Sequence, residues 1–256
     1  MRLSQLDGWN MLIWRGSLSG LAYFVIWAVL NGPKTLPKVV TFNFSTLICC
    51  QILNAVFFSL AIALAPVVIV LIGVATAPVF AALLSRFILN EPISKLTLVT
   101  AFVVLAGLLI SLLEHDVAGL VLDTTTLVGL LLGLGVAFAL AMNFTLIRKD
   151  SEAPFVLALS IGAICAALVG FLCADTLQWL SAPKMMSIAF TGICILPLSF
   201  VALSYAAGSI KSSTVSLIML SETVLGPLWV WRGIGEKPTV MMLIGGGIVL
   251  SADVVF

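Results

Sequence analysis

"SLAIALAPVVIVLIGVATAPVFAALLSRFILNEPISK" (residues 59–95) carries no charged side chain from Ser59 to Ser85. Pro66 marks a very tight connector, Pro78 sits inside the apolar run that follows, and Asn90-Glu91-Pro92 closes it. The apolar residues are continuous rather than alternating, which selects helix over strand. About 20 helical residues cross a hydrocarbon core of about 30 Å, and inside lipid a helix satisfies its own backbone. The stretch therefore predicts the end of one spanning helix, a second helix with a proline in its middle, and a short acidic turn.

The rest of the chain has the same character. Of 256 residues, 62% are hydrophobic and 9% charged, against roughly 25% charged in soluble domains. Such a chain has too little polar surface to face water, so lipid is its solvent. A net charge of +1 speaks against nucleic acid as a partner. One histidine, His115, and no spaced Cys/His cluster leave no metal site to propose, and no cofactor is expected. Cys49, Cys50, Cys165, Cys173 and Cys194 lie in apolar runs and read as reduced, small packing residues. No cleavable leader is expected, because the first strong apolar run begins only near Arg15.

Nine apolar runs are long enough to span, at about 13–31, 40–63, 66–88, 95–113, 125–147, 154–173, 186–206, 211–231 and 238–256. The expected fold is an all-α, multi-pass integral membrane protein. Its connectors are short, as in "NGPKTLPK" (31–38), "RKDSEAP" (148–154) and "SAPK" (181–184). With the amino terminus outside, Lys34, Lys38, Arg86, Lys95, Arg148, Lys149 and Lys211 fall inside, against Arg2, Arg15, Lys184, Arg232 and Lys237 outside. That bias sets the expected orientation.

An internal copy follows at an offset of 145 residues: "SYAAGSIKSSTVSLIMLSETVLGPLWVWRGIGEKPTV" (204–240) lies over the opening stretch without a gap. Ser59 matches Ser204, Ala61 matches Ala206 and Glu91 matches Glu236. In the expected topology Glu91 is inside and Glu236 outside, so the two copies are inverted, as in many secondary transporters. Residues 1–114 then form a first repeat of four helices and 115–256 a second of five.

The paired motifs "APVFAALLSRFILNEPIS" (77–94) and "ETVLGPLWVWRGIGEKPT" (222–239) resemble the repeat signature of the drug/metabolite transporter superfamily, EamA-type branch. The resemblance implies a ten-helix, two-repeat carrier of small metabolites with its cavity between the halves. Two departures stand out. "MRLSQLDGWNMLIWRG" (1–16) looks like the connector into the family's second helix, so the first helix is expected to be absent. A misassigned start, a truncated chain or a genuine nine-helix form would each account for that. Pro78 has Thr223 as its counterpart, with Pro227 one turn later, so the second kink is displaced.

Glu222 is the leading candidate for chemistry. It is the lone charge between Ser212 and Trp231, and a charge at mid-membrane costs several kcal/mol unless paired or protonated. It is expected to bind substrate or to carry a coupling proton, with Gly226 and Pro227 loosening the helix beyond it. The alternative is a protonated acid that joins two helices. Gln51 and Asn54, one turn apart, are expected to hydrogen-bond a polar solute, or else to act as interhelical glue. Asn143 is a further contact near the inner end of its helix, with a capping role as the alternative. Tyr205 and Trp229 are candidate cavity aromatics, although both lie near expected interfaces. Trp9 and Trp14 read as interface anchors, and Arg15 as a side chain that snorkels to headgroups. "GLLLG" (129–133) reads as a helix-packing face.

The function expected is secondary active transport of small metabolites or amino-acid-like solutes, in the export direction, by alternating access across the cytoplasmic (inner) membrane, with proton coupling as an option. No nucleotide-binding loop points to ATP, and an enzyme is not expected. A truncated or non-transporting membrane subunit is the alternative. An intramembrane enzyme built on Glu114, His115 and Asp116 is the weaker one. The partners expected are a small solute, the lipid bilayer and, as an option, a second copy of the chain.

Overall fold

The computed structural model describes residues 7–31, 41–65, 67–91, 102, 124–151, 153–211 and 214–215. Its helices are α1 (Gly8–Asn31), α2 (Phe42–Leu64), α3 (Val67–Val74), α4 (Ala77–Ile88), α5 (Thr124–Lys149), α6 (Phe155–Cys173), α7 (Ala182–Phe190) and α8 (Leu196–Ser209). A π-helical turn, Thr191–Ile195, joins α7 to α8. Among the described residues, five stretches are long and apolar enough to cross a membrane: Gly8–Leu30, Phe42–Leu64, Thr124–Lys149, Phe155–Cys173 and Met185–Ser209. The runs at 95–113 and 238–256, and all but the start of 211–231, lie outside the described residues. So does most of the second copy of the repeat.

Three boundaries differ from expectation. α1 begins at Gly8, so half of the expected connector is helix. Asp7 starts it by accepting the Asn10 backbone N–H on Oδ1 at 2.8 Å. The run 66–88 is two helices rather than one kinked helix, broken at Ala75–Thr76. Pro78 lacks an N–H for the Val74 carbonyl, and its ring crowds that carbonyl. It therefore sits in the first turn of α4, where a missing N–H costs nothing. Thr76 covers the freed end of α3 by donating its N–H and its hydroxyl to the Gly73 carbonyl, at 3.2 and 2.7 Å. The third difference is the π turn, which ends two residues before Pro197. Widening one turn accommodates a proline that an α-helix would have to bend around.

The helices form an interlocked bundle: α1 lies along α6, α2 between α5 and α6, and α3 and α4 against α5. Close approach rests on small residues. A Cβ on Gly16 would stand 2.8 Å from the Ala163 carbonyl oxygen, and one on Gly133 would stand 2.7 Å from that of Val70. The 129–133 face thus packs α5 against α3 and the end of α2. Ser160 Oγ adds a cross-helix bond to the Gly20 carbonyl at 2.8 Å.

Polarity is inverted relative to a soluble protein. Phe42, Phe87, Leu172 and Leu198 are exposed, whereas Asn10, Gln51, Asn54, Asn143, Thr145 and Ser160 are buried. Buried among them, Tyr23, Leu47, Val136, Phe144 and Leu159 belong to the main apolar core.

Candidate functional site: a polar cleft between four helices

A cleft opens between α1, α2, α6 and α8. From α1 come Arg15, Ser19 and Tyr23, with Leu12 and Gly16 beside them. Arg15, Ser19 and Tyr23 are four residues apart, which sets them one above another on the same helix face. α2 contributes Gln51, Asn54, Ala55 and Ser59 on the same spacing rule. Ala163 of α6 and Leu196 and Phe200 of α8 complete the lining. Its volume of ≈ 30 Å³ is room for about two ordered waters, so the cleft is nearly closed in this conformation.

Arg15 sets the electrostatics. Its guanidinium carbon stands 5.0 Å from the centroid of the Phe58 ring, within cation–π range. Its Nη1 is enclosed with no hydrogen-bond partner among the described residues. The expected snorkelling is corrected: Arg15 stands roughly 10 Å along α1 from Gly8, on the face turned to α2, where Phe58 and the cleft receive it. The tyrosine two turns on is tied to the π turn's end. Tyr23 Oη donates to the Leu196 carbonyl at 3.3 Å, which couples α1 to the mouth of α8.

The sequence-derived candidates separate into three groups. Gln51 (6% exposed) and Asn54 (8% exposed) both line the cleft, and Gln51 Oε1 is buried without a partner. Asn143 is buried in α5 but does not line the cleft, and Tyr205 is half-exposed, edge-on to Phe155 at 5.0 Å between centroids. Glu222, Trp229, Gly226 and Pro227 lie outside the described residues. Arg15, Ser19, Tyr23 and Ser59 join the site unforeseen. The polar stripe Arg15-Ser19-Tyr23 in an otherwise apolar helix was the available signal.

At one end of the bundle, Asn10 ties α1 to the 174–181 segment. It donates Nδ2 to the Thr176 carbonyl and accepts the Gln178 N–H, both at 2.9 Å. Trp14 Nε1 donates to the Gln178 carbonyl at 3.1 Å, and its ring lies 5.8 Å from that of Trp179. At the other end, Arg148 Nε donates to Glu91 Oε1 at 3.1 Å, the one ion pair among the described residues. Glu91 is placed by its predecessor: Asn90 takes φ 55° and the Glu91 N–H returns to the Ser85 carbonyl at 3.3 Å. That left-handed cap is one Asn tolerates.

Three comparisons bear on this architecture. Residues 1–113 match the model of the EamA-like transporter family. The chain is 29% identical over 180 residues to the "Uncharacterized transporter YdfC" of Bacillus subtilis (strain 168), covering 68% of this chain and 56% of that protein. It thus spans a little over half the length of that relative. A crystal structure of a protein superposes with a TM-score of 0.84 at 14% identity, over 98% of this chain and 88% of the other. At that identity the likeness establishes the shared fold alone.

Proposed function

We propose, on the match of residues 1–113 to the EamA-like transporter family, that the protein is a secondary carrier of small solutes whose site is the α1/α2/α6/α8 cleft. The observation that carries this reading is the convergence of Arg15, Gln51, Asn54 and Ser59 on one cleft inside a bundle with an apolar exterior. Ionisable groups inside a membrane protein mark solute or ion paths by default. The broken α3–α4 and the π turn before α8 give the surrounding helices places to bend. Alternating access by the two inverted repeats, with the cleft at their interface, is part of the proposal. So are export across the cytoplasmic membrane and Glu222 as a second, proton-binding group.

Orientation follows from charge. α1 starts beside the end of α2, because a Cβ on Gly8 would stand 3.0 Å from Ala63 Cβ, and the Asn10 bonds set segment 174–181 on that same side. The Arg148–Glu91 pair marks the opposite side. Arg86, Arg148, Lys149 and Lys211 lie towards this second end, which makes it cytoplasmic under the positive-inside rule.

Proteoliposomes loaded with a metabolite extract test the reading. Mass spectrometry would follow efflux through the wild type, through Glu222→Gln and from empty membrane, with and without a pH gradient. Selective loss of a few solutes supports a carrier, and its abolition in the Gln variant assigns Glu222 a role. No difference from empty membrane, in protein shown to be folded, sinks the reading.

A further inference from the structure

α1 is held more firmly on one side than on the other. Towards α6 the contact is built of small residues from both helices. Besides Gly16, Gly170 of α6 belongs to it, where a Cβ would stand 3.0 Å from the Trp9 carbonyl oxygen. Ser160 Oγ adds its bond to the Gly20 carbonyl. Residues 174–181 continue α6 and cross the end of α1 without forming a helix. Irregular backbone in a membrane protein needs partners, and α1 supplies three. Asn10 takes the Thr176 carbonyl and the Gln178 N–H, and Trp14 takes the Gln178 carbonyl. Asn10 is itself fully buried, so both ends of its amide are committed to this segment.

The opposite face of α1 is different. At about 100° per residue, Asn10 and Trp14 lie nearly opposite Leu12, Arg15 and Ser19, which line the cleft shared with α2. Across that seam Arg15 Nη1, Gln51 Oε1 and Ser59 Oγ are buried without a partner among the described residues. A closed seam leaves them unsatisfied, and water admitted between α1 and α2 satisfies them. Parting α1 from α6 satisfies no such group and breaks the Ser160 bond. Resting on the carrier reading above, we infer that residues 174–181 clasp α1 to α6 so that the two helices move as one body, and that the cleft opens by α1 parting from α2. The fulcrum is the close contact of α6 with α2 towards the other end of the bundle, where a Cβ on Gly162 would stand 2.6 Å from Gln51 Cβ. Turning about that point separates Gly8 from Ala63 at the outer end. The moving bodies then cut across the sequence, because α1 of the expected first repeat travels with α6 of the second.

Two engineered disulfides tell the two contacts apart, in protein whose five native cysteines have been replaced. Gly8→Cys with Ala63→Cys locks the seam, since the two Cβ positions stand 3.0 Å apart, close enough for a disulfide after a small relaxation. Asn10→Cys with Gln178→Cys makes the clasp covalent, where the Asn10 amide now meets the Gln178 N–H at 2.9 Å. The readout is the reaction of Asn54→Cys, within the cleft, with a small thiol reagent in detergent, followed at that position by peptide mass spectrometry. Each locked protein is compared with its own reduced form. The seam lock is expected to slow labelling about tenfold or more, because reaction tracks the open population. The clasp lock should leave the rate unchanged. A measurement without locks guards against a misfolded double variant. Asn54→Cys should react about tenfold or more faster than Ala167→Cys, although Asn54 and Ala167 are buried alike, at 8% and 6% exposed, because Ala167 lies in the contact of α1 with α6. Labelling unaffected by the seam lock, slowed equally by the clasp lock, or equal at the two single cysteines overturns the inference. In proteoliposomes the seam lock should stop efflux until it is reduced, and the clasp lock should permit it. If solutes cross but labelling fails these expectations, the clasp is wrong and the carrier stands. If labelling meets them and no form moves a solute, the movement stands and the carrier reading fails.

Discussion

Asn90 shows how much a single backbone angle can organise. Its φ of 55° closes α4 and sends the Glu91 N–H back to the Ser85 carbonyl. That turn delivers Glu91 to Arg148 at 3.1 Å and ties the end of α4 to the end of α5. The "NE" of the sequence motif is thus a helix cap and an ion-pair holder in two residues. Asn90→Gly should leave stability in detergent unchanged or slightly higher, because glycine has no penalty in this region. Asn90→Ala should cost about 1 kcal/mol and Asn90→Val more, since Cβ meets the following carbonyl in the left-handed region. Thermal melts of the three variants decide it, and an unchanged valine variant would sink the account. The same scale explains which site residues were legible. Gln51 and Asn54 announce themselves as amides in an apolar run. Arg15 stands seven residues into α1, where an arginine has both lipid headgroups and a neighbouring helix within reach. Only the neighbour, Phe58, decides between them.

At the scale of elements, small residues decide how closely the helices approach. Gly16 and Gly20 face α6 from successive turns of α1, yet their surroundings differ. A Cβ on Gly16 meets backbone, the Ala163 carbonyl at 2.8 Å and the Ala167 N at 3.2 Å, whereas the nearest atom to one on Gly20 is the side-chain Cγ1 of Ile164. Backbone cannot move without shifting a helix, but an isoleucine can change rotamer. Gly16→Ala should therefore destabilise by about 1–3 kcal/mol and Gly20→Ala by distinctly less, as read by unfolding in mild detergent. Equal losses would show that α1 and α6 move apart as rigid bodies instead. The proline rule also belongs here. Pro78 and Pro197 both interrupt apolar runs; of the two only Pro78 carries an expected kink, and the proline rule says only that a helix is disturbed. It does not predict its form. One becomes a clean break capped by Thr76, the other a π turn.

For the whole molecule, the helix ends sort into two layers, with Asp7, Leu64 and Cys173 on one side and Asn31, Ile88 and Lys149 on the other. Cysteine-free protein carrying a single cysteine at Asp150 should react with a membrane-impermeant thiol reagent only from the cytoplasmic side. One at Gln178 should react only from outside. The reverse pattern would overturn the orientation and leave the fold intact. Composition by itself determined that this chain is lipid-embedded, because 62% apolar residues with 9% charged cannot dress a water-facing surface, and the continuous apolar runs determined that it is helical. Run length likewise determined where the five spans among the described residues lie, since hydrocarbon thickness acts locally. Which polar groups share a cavity was left to the tertiary structure. Gln51, visible from the start, acquires meaning only beside Arg15, 36 positions away along the chain, and Tyr205, equally visible, turns away from it. Helix periodicity specifies a face, but which face meets which neighbour depends on small-residue contacts spread over α1, α2, α5 and α6, and that is a property of the packed bundle.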